Sequence, residues 1–362
     1  MEATREAIYA AYESDADDGH RAHLGASIIG KSCEQALWFD FRWVTKAQHP
    51  GRLLRRFESG QLEEARLVAN LRRAGATVLD VDPQTGRQFR VSDQGGHFGG
   101  SLDALVIRLR ESPDQWHVAE FKTHNAKSYK ELIEKRLRLA KPQHFDQMQI
   151  YMHLNGAVWG LYVAVNKDTD DLYLERVRYD DAHALRLIEK ARRVIFAAGP
   201  TLPKVSEDPA WYECRFCDHH SVCHQTKPAV PVAINCRTCL YSSPVGEVGA
   251  DVAANVAANV VANVVANVGA NVGANVGAVA GGGAIDNTGT GVWTCALHQA
   301  EIDSAAQRSG CSRHLYIPAL IGAKQVDFGD GFVEYEFADG KRARDTGSDK
   351  SLLIKACLPE PL

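Results

Sequence analysis

The sequence predicts an α+β fold, in which helices flank a mixed β-sheet, followed by a small metal-binding C-terminal region. Segments with a helical period stand before and after a run of short segments rich in branched and aromatic residues, which is the order typical of an α+β domain. Beyond about residue 200 the composition changes to cysteine, histidine and proline, which is typical of metal sites.

The first helices are predicted in the segments EATREAIYAAYES, GKSCEQALWFDFRW and RLLRRFESGQLEEARLVANLRRAG. In the third segment a helical period links five apolar residues, Leu54, Phe57, Ala65, Val68 and Leu71. Strands are then predicted in ATVLDVD, RQFRVSD, SLDALVIRL and QWHVAEFKT, which are separated by turn signals such as PQTG, DQGG and ESPD. The prediction ends with helices at 127–140 and 142–155, strands VWGLYVAVN and DLYLERVRY, and a helix near 181–197.

Charge and composition narrow the class of protein. The net charge of -4 argues against a protein whose whole surface is cationic, so any nucleic acid would contact local basic patches. The N-terminal segment lacks the basic start and apolar run of a secretion signal, which predicts an intracellular, cytoplasmic protein that does not enter a membrane. In that compartment the nine cysteines are expected to be metal ligands or free thiols.

A valine-rich repeat interrupts the C-terminal part, where valine recurs at every fourth position from Val248 to Val276. A period of four drifts against the 3.6 residues of a helical turn, and an asparagine in each unit excludes a membrane span. We therefore predict a low-complexity insertion at 245–288, with a short β-solenoid as the alternative. The predicted domains are 1–228, 229–322 around this insertion, and a β-rich segment at 323–362.

The segment QWHVAEFKTHN places Glu120 and Lys122 on one face of a predicted strand, because side chains alternate across a strand. Asp103 follows two glycines in GGSLDALVIRL, and those glycines permit a close approach of the backbone to another group. An antiparallel hairpin through RESPDQ would bring both carboxylates to one end of the sheet. They would suit Mg²⁺ or Mn²⁺, and Lys122 could activate a water and offset charge on a phosphate. The alternative is an ordinary surface pair.

Further polar residues lie on the predicted flanking helices. Glu64, in ESGQLEEARLV, could be a third metal ligand, and its alternative interpretation is a solvated carboxylate beside Glu63. In KPQHFDQMQIYMHLNG, Gln147 and Tyr151 are four residues apart and share a helix face, with His144 one turn earlier. These three side chains are predicted to position a nucleic-acid strand.

The order G-x-x-D, E-x-K and Q-x-x-x-Y resembles the PD-(D/E)XK nuclease superfamily, and its RecB-type branch in particular, over about residues 20–225. The resemblance implies a restriction-endonuclease-like fold and a metal-dependent DNA phosphodiesterase. It implies Asp103 and Glu120 as metal ligands and Lys122 as the catalytic lysine. Many members have histidine where this chain has Glu64, although glutamate is also a good magnesium ligand. The family resemblance favours an exonuclease in recombination, repair or phage DNA processing.

The segment ECRFCDHHSVCH contains three closely spaced cysteines, and the first half of the chain contains one more. A distant N-terminal cysteine with a C-terminal triplet resembles the iron–sulfur nucleases of CRISPR adaptation and of AddAB-type recombination complexes. The resemblance implies a structural [4Fe–4S] cluster held by Cys33, Cys214, Cys217 and Cys223. The alternative is a zinc site that combines the triplet with His219, His220 or His224 and leaves Cys33 a buried thiol.

A second set of cysteines has the C-x2-C knuckle of a zinc ribbon. We predict zinc ligation by Cys236, Cys239, Cys295 and Cys311, with His298 or His314 as substitutes. Lengthening the loop between the pairs costs about 1 kcal/mol of closure entropy, against about 10 kcal/mol or more available from zinc. The alternative is a set of reduced thiols. Cys357 has no predicted partner, and FVEYEFADGKRARD predicts a hairpin.

Although the net charge of the chain is negative, it contains three basic clusters, RLLRR at 52–56, KRLRLAK at 135–141 and KARR at 190–193. Two of them flank the motif-bearing helices, where contacts with the phosphates of single-stranded DNA or duplex ends would be needed. The sequence therefore favours a DNA nuclease, which could act with a recombination or helicase partner. The competing hypotheses are a non-catalytic, metal-bound DNA-binding or adaptor protein, and a redox sensor that uses the cluster.

Overall fold

The computed structural model describes residues 1–17, 19–46, 49–224, 232–246, 291–329 and 331–347. The valine repeat from Val248 to Val276 and the thiol of Cys357 lie outside the described residues, so the predictions made for them stay predictions. Within the described ranges, no helix is both long and apolar enough to cross a bilayer.

A five-stranded mixed sheet lies at the centre of the N-terminal domain. Its strands, in spatial order, are β2 (Thr77–Leu79), β5 (Ala104–Ile107), β6 (His117–His124), β7 (Trp159–Asn166) and β8 (Leu172–Arg178). β6 and β7 are parallel, and the other neighbouring strands are antiparallel. The predicted hairpin is confirmed, because β5 pairs with β6 and places Ala104 opposite Ala119.

Helices cover both faces of this sheet, as predicted for the α+β class. The long ones are α1 (Glu2–Asp15), α2 (Glu34–Phe41), α3 (Gly51–Arg73), α4 (Ala126–Ala140), α5 (Pro142–Asn155) and α6 (Asp181–Phe196). α3 buries Leu67 and Leu71 in a cluster with Phe121 of β6. α5 belongs to the cluster on the opposite face, which contains Val118 of β6 and Tyr162 of β7. Alternate residues of β6 therefore face different helical layers.

A second, three-stranded sheet changes one prediction about the strand that carries Asp103. Its order is β1 (Leu24–Gly25), β4 (Phe98–Ser101) and β3 (Arg90–Asp93). The segment SLDALVIRL was expected to form one strand, but this is wrong, since β4 ends at Ser101 and β5 begins at Ala104. The break arises because Leu102 is buried and its N–H donates to the carbonyl of Phe89, outside the central sheet. Asp103 therefore lies at the junction of two sheets.

The described residues from 232 to 347 form a β-rich C-terminal module. Short helices α7 (Tyr212–Arg215) and α8 (His220–His224) precede it. β9 (Ser242–Pro244), β10 (Trp293–Cys295) and β11 (Ala300–Ile302) form one antiparallel sheet, followed by helix α9 (Ser304–Ser309). β12 (Ala323–Gly329), β13 (Phe332–Phe337) and β14 (Arg342–Asp345) form another, which confirms the hairpin predicted in FVEYEFADGKRARD.

The C-terminal module packs against the N-terminal domain through a buried arginine. Arg237 is 1% exposed, and its guanidinium donates hydrogen bonds to the carbonyl oxygens of Phe41 (2.9 Å) and Ala22 (2.8 Å). It also donates to Gln307 Oε1 (2.9 Å) and lies 3.7 Å from the ring centroid of Trp43. One continuous hydrophobic cluster spans the two parts, so the module is held against the face formed by α2. The domain boundaries proposed from sequence stay a prediction.

Candidate active site

Three ionisable side chains, those of Asp103, Glu120 and Lys122, lie together beside strand β6. Glu120 and Lys122 are two residues apart on β6, share a face and form an ion pair. Asp103 reaches them from the junction, where its Oδ2 accepts a hydrogen bond of 2.8 Å from the N–H of Phe121. The structure therefore brings together the aspartate, the glutamate and the lysine that the motifs predict.

Burial shapes the charges in this group. Glu120 is fully buried, its Oε2 has no hydrogen-bond partner, and burial followed by the charge of Asp103 raises its pKa to about 8. Burial also raises the pKa of Asp103, although Lys122 and the N–H of Phe121 oppose that shift. For Lys122, burial lowers the pKa, but the attraction of Glu120 and Asp103 outweighs it and leaves the pKa raised. Two ionised carboxylates here would exceed the charge that one ammonium can balance.

A cleft of about 410 Å³ opens beside this group. Its lining includes Glu64 of α3, Lys122, and Lys141, which ends the basic cluster at 135–141. Burial raises the pKa of Glu64, Asp103 adds to the shift and Lys122 opposes it, so Glu64 lies within the electrostatic reach of both. Its neighbour Glu63 pairs with Arg66 at 2.5 Å. Glu64 therefore lines the cleft beside Glu63, close enough to Asp103 and Lys122 to respond to their charges.

As the side chains stand, no three His, Cys, Asp or Glu residues in the described part of the chain are arranged to hold a single metal ion. The carboxylates nevertheless suit a divalent cation chemically. Glu120 Oε2 is a buried oxygen without a partner, and both Glu120 and Asp103 are held away from their ionised forms by burial. Oxygen ligands of this kind are what Mg²⁺ and Mn²⁺ prefer.

Gln147 and Tyr151 lie behind Asp103. Both are buried, and the Nε2 of Gln147 donates a hydrogen bond of 3.2 Å to the hydroxyl of Tyr151. A Cβ at Gly100 would lie 2.6 Å from that hydroxyl oxygen, so only glycine allows β4 to approach Tyr151. Burial and then the charge of Glu120 raise the pKa of Tyr151. The pair thus supports the backbone that leads into Asp103.

His144 lies at the cleft, and it is joined to two residues that the motif analysis missed. His144 Nδ1 lies 2.9 Å from the hydroxyl oxygen of Tyr162, which lies 2.8 Å from His124 Nε2. His124 could have been found in the sequence, because it follows Lys122 by two residues and shares its strand face. Tyr162 could not, since only the pairing of β6 with β7 places it opposite Glu120.

The first cysteine set lines a single cavity of about 420 Å³, with contributions from Cys33, Cys214, Cys217 and Cys223. Burial raises the pKa of Cys223 to about 11, Lys204 opposes the shift, and the other three thiols add to it. His219, His220 and His224, the histidines of the zinc alternative, also line this cavity, and the ring nitrogens of His219 contact Asp40 Oδ1 (3.0 Å) and Thr45 Oγ1 (2.7 Å). Cys33 is therefore placed with the triplet rather than buried elsewhere.

The second cysteine set lies within the C-terminal module. Burial raises the pKa of Cys236 to about 11, and Cys311, Cys239 and Cys295 add to the shift, so the four thiols interact electrostatically. Cys236 Sγ donates to the carbonyl of Ala306 at 3.2 Å. Of the two substitute ligands, His298 places Nε2 3.8 Å from Cys311 Sγ, whereas the Nε2 of His314 contacts Thr238 Oγ1 at 3.1 Å.

Comparison with known proteins gives one family match and several structural matches. A family model described as the PD-(D/E)XK nuclease superfamily matches residues 6–224. LHK-Exo in complex with dAMP is 20% identical, with a TM-score of 0.36 over 52% of this chain and 90% of that one. The alkaline exonuclease LHK-Exo from Laribacter hongkongensis is 19% identical over the same shares, also at 0.36. SSO0001 is 17% identical, with a TM-score of 0.36 over 61% of this chain and 96% of that one. No curated protein matches the chain.

Proposed function

The chain belongs to the PD-(D/E)XK nuclease superfamily, and from that premise we propose that it is a divalent-metal-dependent DNA nuclease that cuts as an exonuclease. The mixed sheet with helices on both faces is the restriction-endonuclease-like fold expected of this superfamily. The observation that carries the proposal is the environment of Glu120, a fully buried carboxylate whose Oε2 has no partner. Such an oxygen is costly unless a cation completes the site.

Asp103 and Glu120, with Glu64 at the edge of the cleft, would hold Mg²⁺ or Mn²⁺. When bound, such an ion polarises a phosphate oxygen and lowers the pKa of a coordinated water. Lys122 keeps its proton beside both carboxylates, so its ammonium can stabilise the negative charge that develops on the phosphate. Lys141 adds a second cation at the cleft, which favours binding of an anionic strand.

Gln147 and Tyr151 would act through the backbone that carries Asp103. Their hydrogen bond and the packing of Tyr151 beside Gly100 hold the end of β4, so they would position the metal ligand Asp103. Both are buried and neither lines the cleft, so their predicted effect on the DNA strand would be indirect. His144 would contact DNA directly. The preference for an exonuclease acting on single-stranded DNA or duplex ends, in recombination, repair or phage DNA processing, follows from the resemblance to the RecB-type branch.

We also propose a [4Fe–4S] cluster held by Cys33, Cys214, Cys217 and Cys223. The cavity that these thiols share has a volume of about 420 Å³, which exceeds the space that a single ion needs. Thiolates are the usual ligands of such clusters. Because Cys33 precedes α2 and the triplet follows α6, the cluster would join distant parts of the nuclease domain.

Zinc is proposed for the second set, with Cys236, Cys239, Cys295 and Cys311 as ligands. The mutual effect of the four thiols on the pKa of Cys236 supports this assignment, and His298 is the substitute nearest to the set. Zinc would lower the thiol pKa values and replace the hydrogen bond from Cys236 to Ala306. Its role would be to hold the C-terminal module together.

The proposed activity is tested by incubating the full, anaerobically purified chain with end-labelled linear and circular DNA, with and without Mn²⁺. We expect cleavage of linear DNA that requires the ion, and a loss of about 100- to 1,000-fold in Lys122→Ala. Lys130→Ala, an exposed lysine of α4, is the matched control and should cleave as the wild type does. DNA binding without cleavage under all conditions would instead favour the adaptor hypothesis.

A further inference from the structure

Four polar side chains form a continuous hydrogen-bonded row beside the cleft. Ser128 Oγ lies 2.9 Å from His124 Nδ1, His124 Nε2 lies 2.8 Å from the Tyr162 hydroxyl, and that hydroxyl lies 2.9 Å from His144 Nδ1. The four residues come from four elements, α4, β6, β7 and α5. The row therefore links the strand that carries Glu120 and Lys122 to the first turn of α5.

His124 and Tyr162, in the middle of the row, have hydrogen-bond partners at every polar side-chain atom, whereas in the part of the chain that the structure describes His144 has one only at Nδ1. Tyr162 is fully buried, and both ring nitrogens of His124 are hydrogen-bonded. His144 is only partly buried and lines the cleft together with Lys122 and Lys141. Its Nε2 makes no hydrogen bond within the described residues. Ser128 and His124 line the same cleft, so the row runs along its wall.

Burial favours the neutral form of both imidazoles in the row. Burial lowers the pKa of His124 to about 4 and that of His144 to about 3, and the nearby lysines act in the same direction. Each neutral ring carries one N–H, so each can donate once and accept once. If Ser128 donates to His124, His124 to Tyr162 and Tyr162 to His144, then the remaining proton of the row is on His144 Nε2.

We propose that His144 donates this Nε2 hydrogen to a phosphate oxygen of the DNA strand in the cleft. Tyr162, His124 and Ser128 are then positioning residues, which fix the tautomer and the ring orientation of His144. This inference rests on the proposed nuclease function. A phosphate oxygen can only accept, so it selects the donor order described above, and the ammonium groups of Lys122 and Lys141 favour an anion at the same place.

The test is single-turnover cleavage of oligonucleotides that each carry one neutral methylphosphonate near the scissile bond. With natural DNA we expect His144→Ala to slow cleavage by about 10- to 100-fold, the range for a hydrogen bond to a charged group. With the methylphosphonate at one position the wild type should slow and His144→Ala should show no further loss. Such a cycle between protein and substrate identifies the contacted phosphate.

The positioning residues are tested in the same assay. Tyr162→Phe keeps the ring and breaks the row, so it should slow cleavage less than His144→Ala does, lose its effect at the same methylphosphonate, and add nothing in the His144→Ala background. Tyr129→Phe, a buried tyrosine of α4 outside the row, is the control. If Tyr162→Phe unfolds, Ser128→Ala, which is only partly buried, carries the same expectation with a smaller loss.

The outcomes separate this inference from the proposed function. If the wild type cleaves and Lys122→Ala does not, but His144→Ala is slowed equally on every oligonucleotide or not at all, the phosphate contact is overturned and the nuclease proposal stands. Additive losses in the Tyr162→Phe, His144→Ala double variant would overturn the positioning role. Absence of any cleavage by the wild type would overturn the proposed function and this inference with it.

Discussion

Glu120 in the candidate active site and Arg237 beneath the C-terminal module are both charged side chains enclosed by protein, but their surroundings differ. Arg237 donates to two backbone carbonyls and to Gln307, so all three guanidinium nitrogens have partners. Glu120 has Lys122 at one oxygen, Asp103 nearby, and no partner at Oε2. The protein supplies hydrogen-bond partners for every nitrogen of the Arg237 guanidinium, but for only one oxygen of the Glu120 carboxylate.

In this fold, function is expected at the buried charge whose partners are missing. Burial lowers the pKa of Arg237, with Arg42 acting in the same direction, but its fixed acceptors make it part of the packing. At Glu120 the protein tolerates an unpaired oxygen and two neighbouring carboxylates, an arrangement that a divalent cation would relieve. Substitutions at the two places should therefore have opposite effects on stability, and only one should remove activity.

The largest effect is expected for Glu120→Gln. It removes a metal ligand, so Mn²⁺-dependent cleavage of linear DNA should fall by about 1,000-fold. Its free energy of unfolding without divalent ions should rise near pH 8, because glutamine carries no charge to bury. Glu134→Gln, an exposed carboxylate of α4, is the control. Full activity in Glu120→Gln would show that Glu120 is not a metal ligand and serves only the packing of the protein.

The thiol cavity adds a third set of side chains to the comparison, Cys33, Cys214, Cys217 and Cys223. Cys33→Ser should lose iron, sulfide and the visible absorption of the cluster in anaerobic preparations, and its melting temperature should fall because a tie across the domain is lost. Cys311→Ser, in the other set, should keep the iron and lose zinc. Unchanged iron content in Cys33→Ser would mean that the triplet binds its metal without the N-terminal cysteine.

Arg237→Ala should destabilise the protein where Glu120→Gln does not. It leaves the carbonyls of Phe41 and Ala22 buried without donors, so the free energy of unfolding should fall by about 3 kcal/mol or more. Arg192→Ala, which breaks an exposed pair with Glu189, should leave the melting temperature unchanged. The two variants are compared by chemical denaturation, and equal stabilities would remove the structural role given to Arg237.

The smallest effect is a slope of stability with pH. Between about pH 7 and 8 Glu120, with a folded pKa of about 8, still binds a proton that the unfolded chain has released. Histidines and thiols also titrate in this range, but they do so equally in the wild type and in Glu120→Gln, so the difference between the two proteins isolates Glu120. Relative to Glu120→Gln, the stability of the wild type without divalent ions should therefore fall as the pH rises, by up to about 1.4 kcal/mol per pH unit. Glu120→Gln should lack this contribution in denaturation curves at both pH values. A steeper loss in the variant would reverse the assigned sign.

Local patterns predicted much of this arrangement. The alternation of β6 placed Glu120 and Lys122 on one face, and the turn signals of RESPDQ marked the hairpin that pairs β5 with β6. Of the five apolar residues that the helical period of α3 links, Val68 and Leu71 pack with Phe121 of β6, whereas Phe57 and Ala65 are exposed. These features depend on neighbours in sequence, so the sequence pattern contains them.

Contacts between distant segments could not be predicted in the same way. The division of SLDALVIRL between two sheets depends on Leu102 bonding to Phe89, and the site of Tyr162 depends on the register of β6 with β7. Arg237 stands inside a C-x2-C knuckle, where an arginine is expected to be exposed. Its burial depends on a contact with a distant segment, because the carbonyl of Phe41 in α2 accepts a hydrogen bond from its guanidinium.

The most direct test of the account is calorimetric titration of Mn²⁺ into the full chain near pH 7, in buffers of different ionisation enthalpy. Binding at Asp103 and Glu120 must deprotonate Glu120, so the wild type should release about one proton per ion bound at this site. Glu120→Gln should bind the ion more weakly and release no such proton. Equal affinity and equal proton release in both proteins would contradict a metal site built on Glu120.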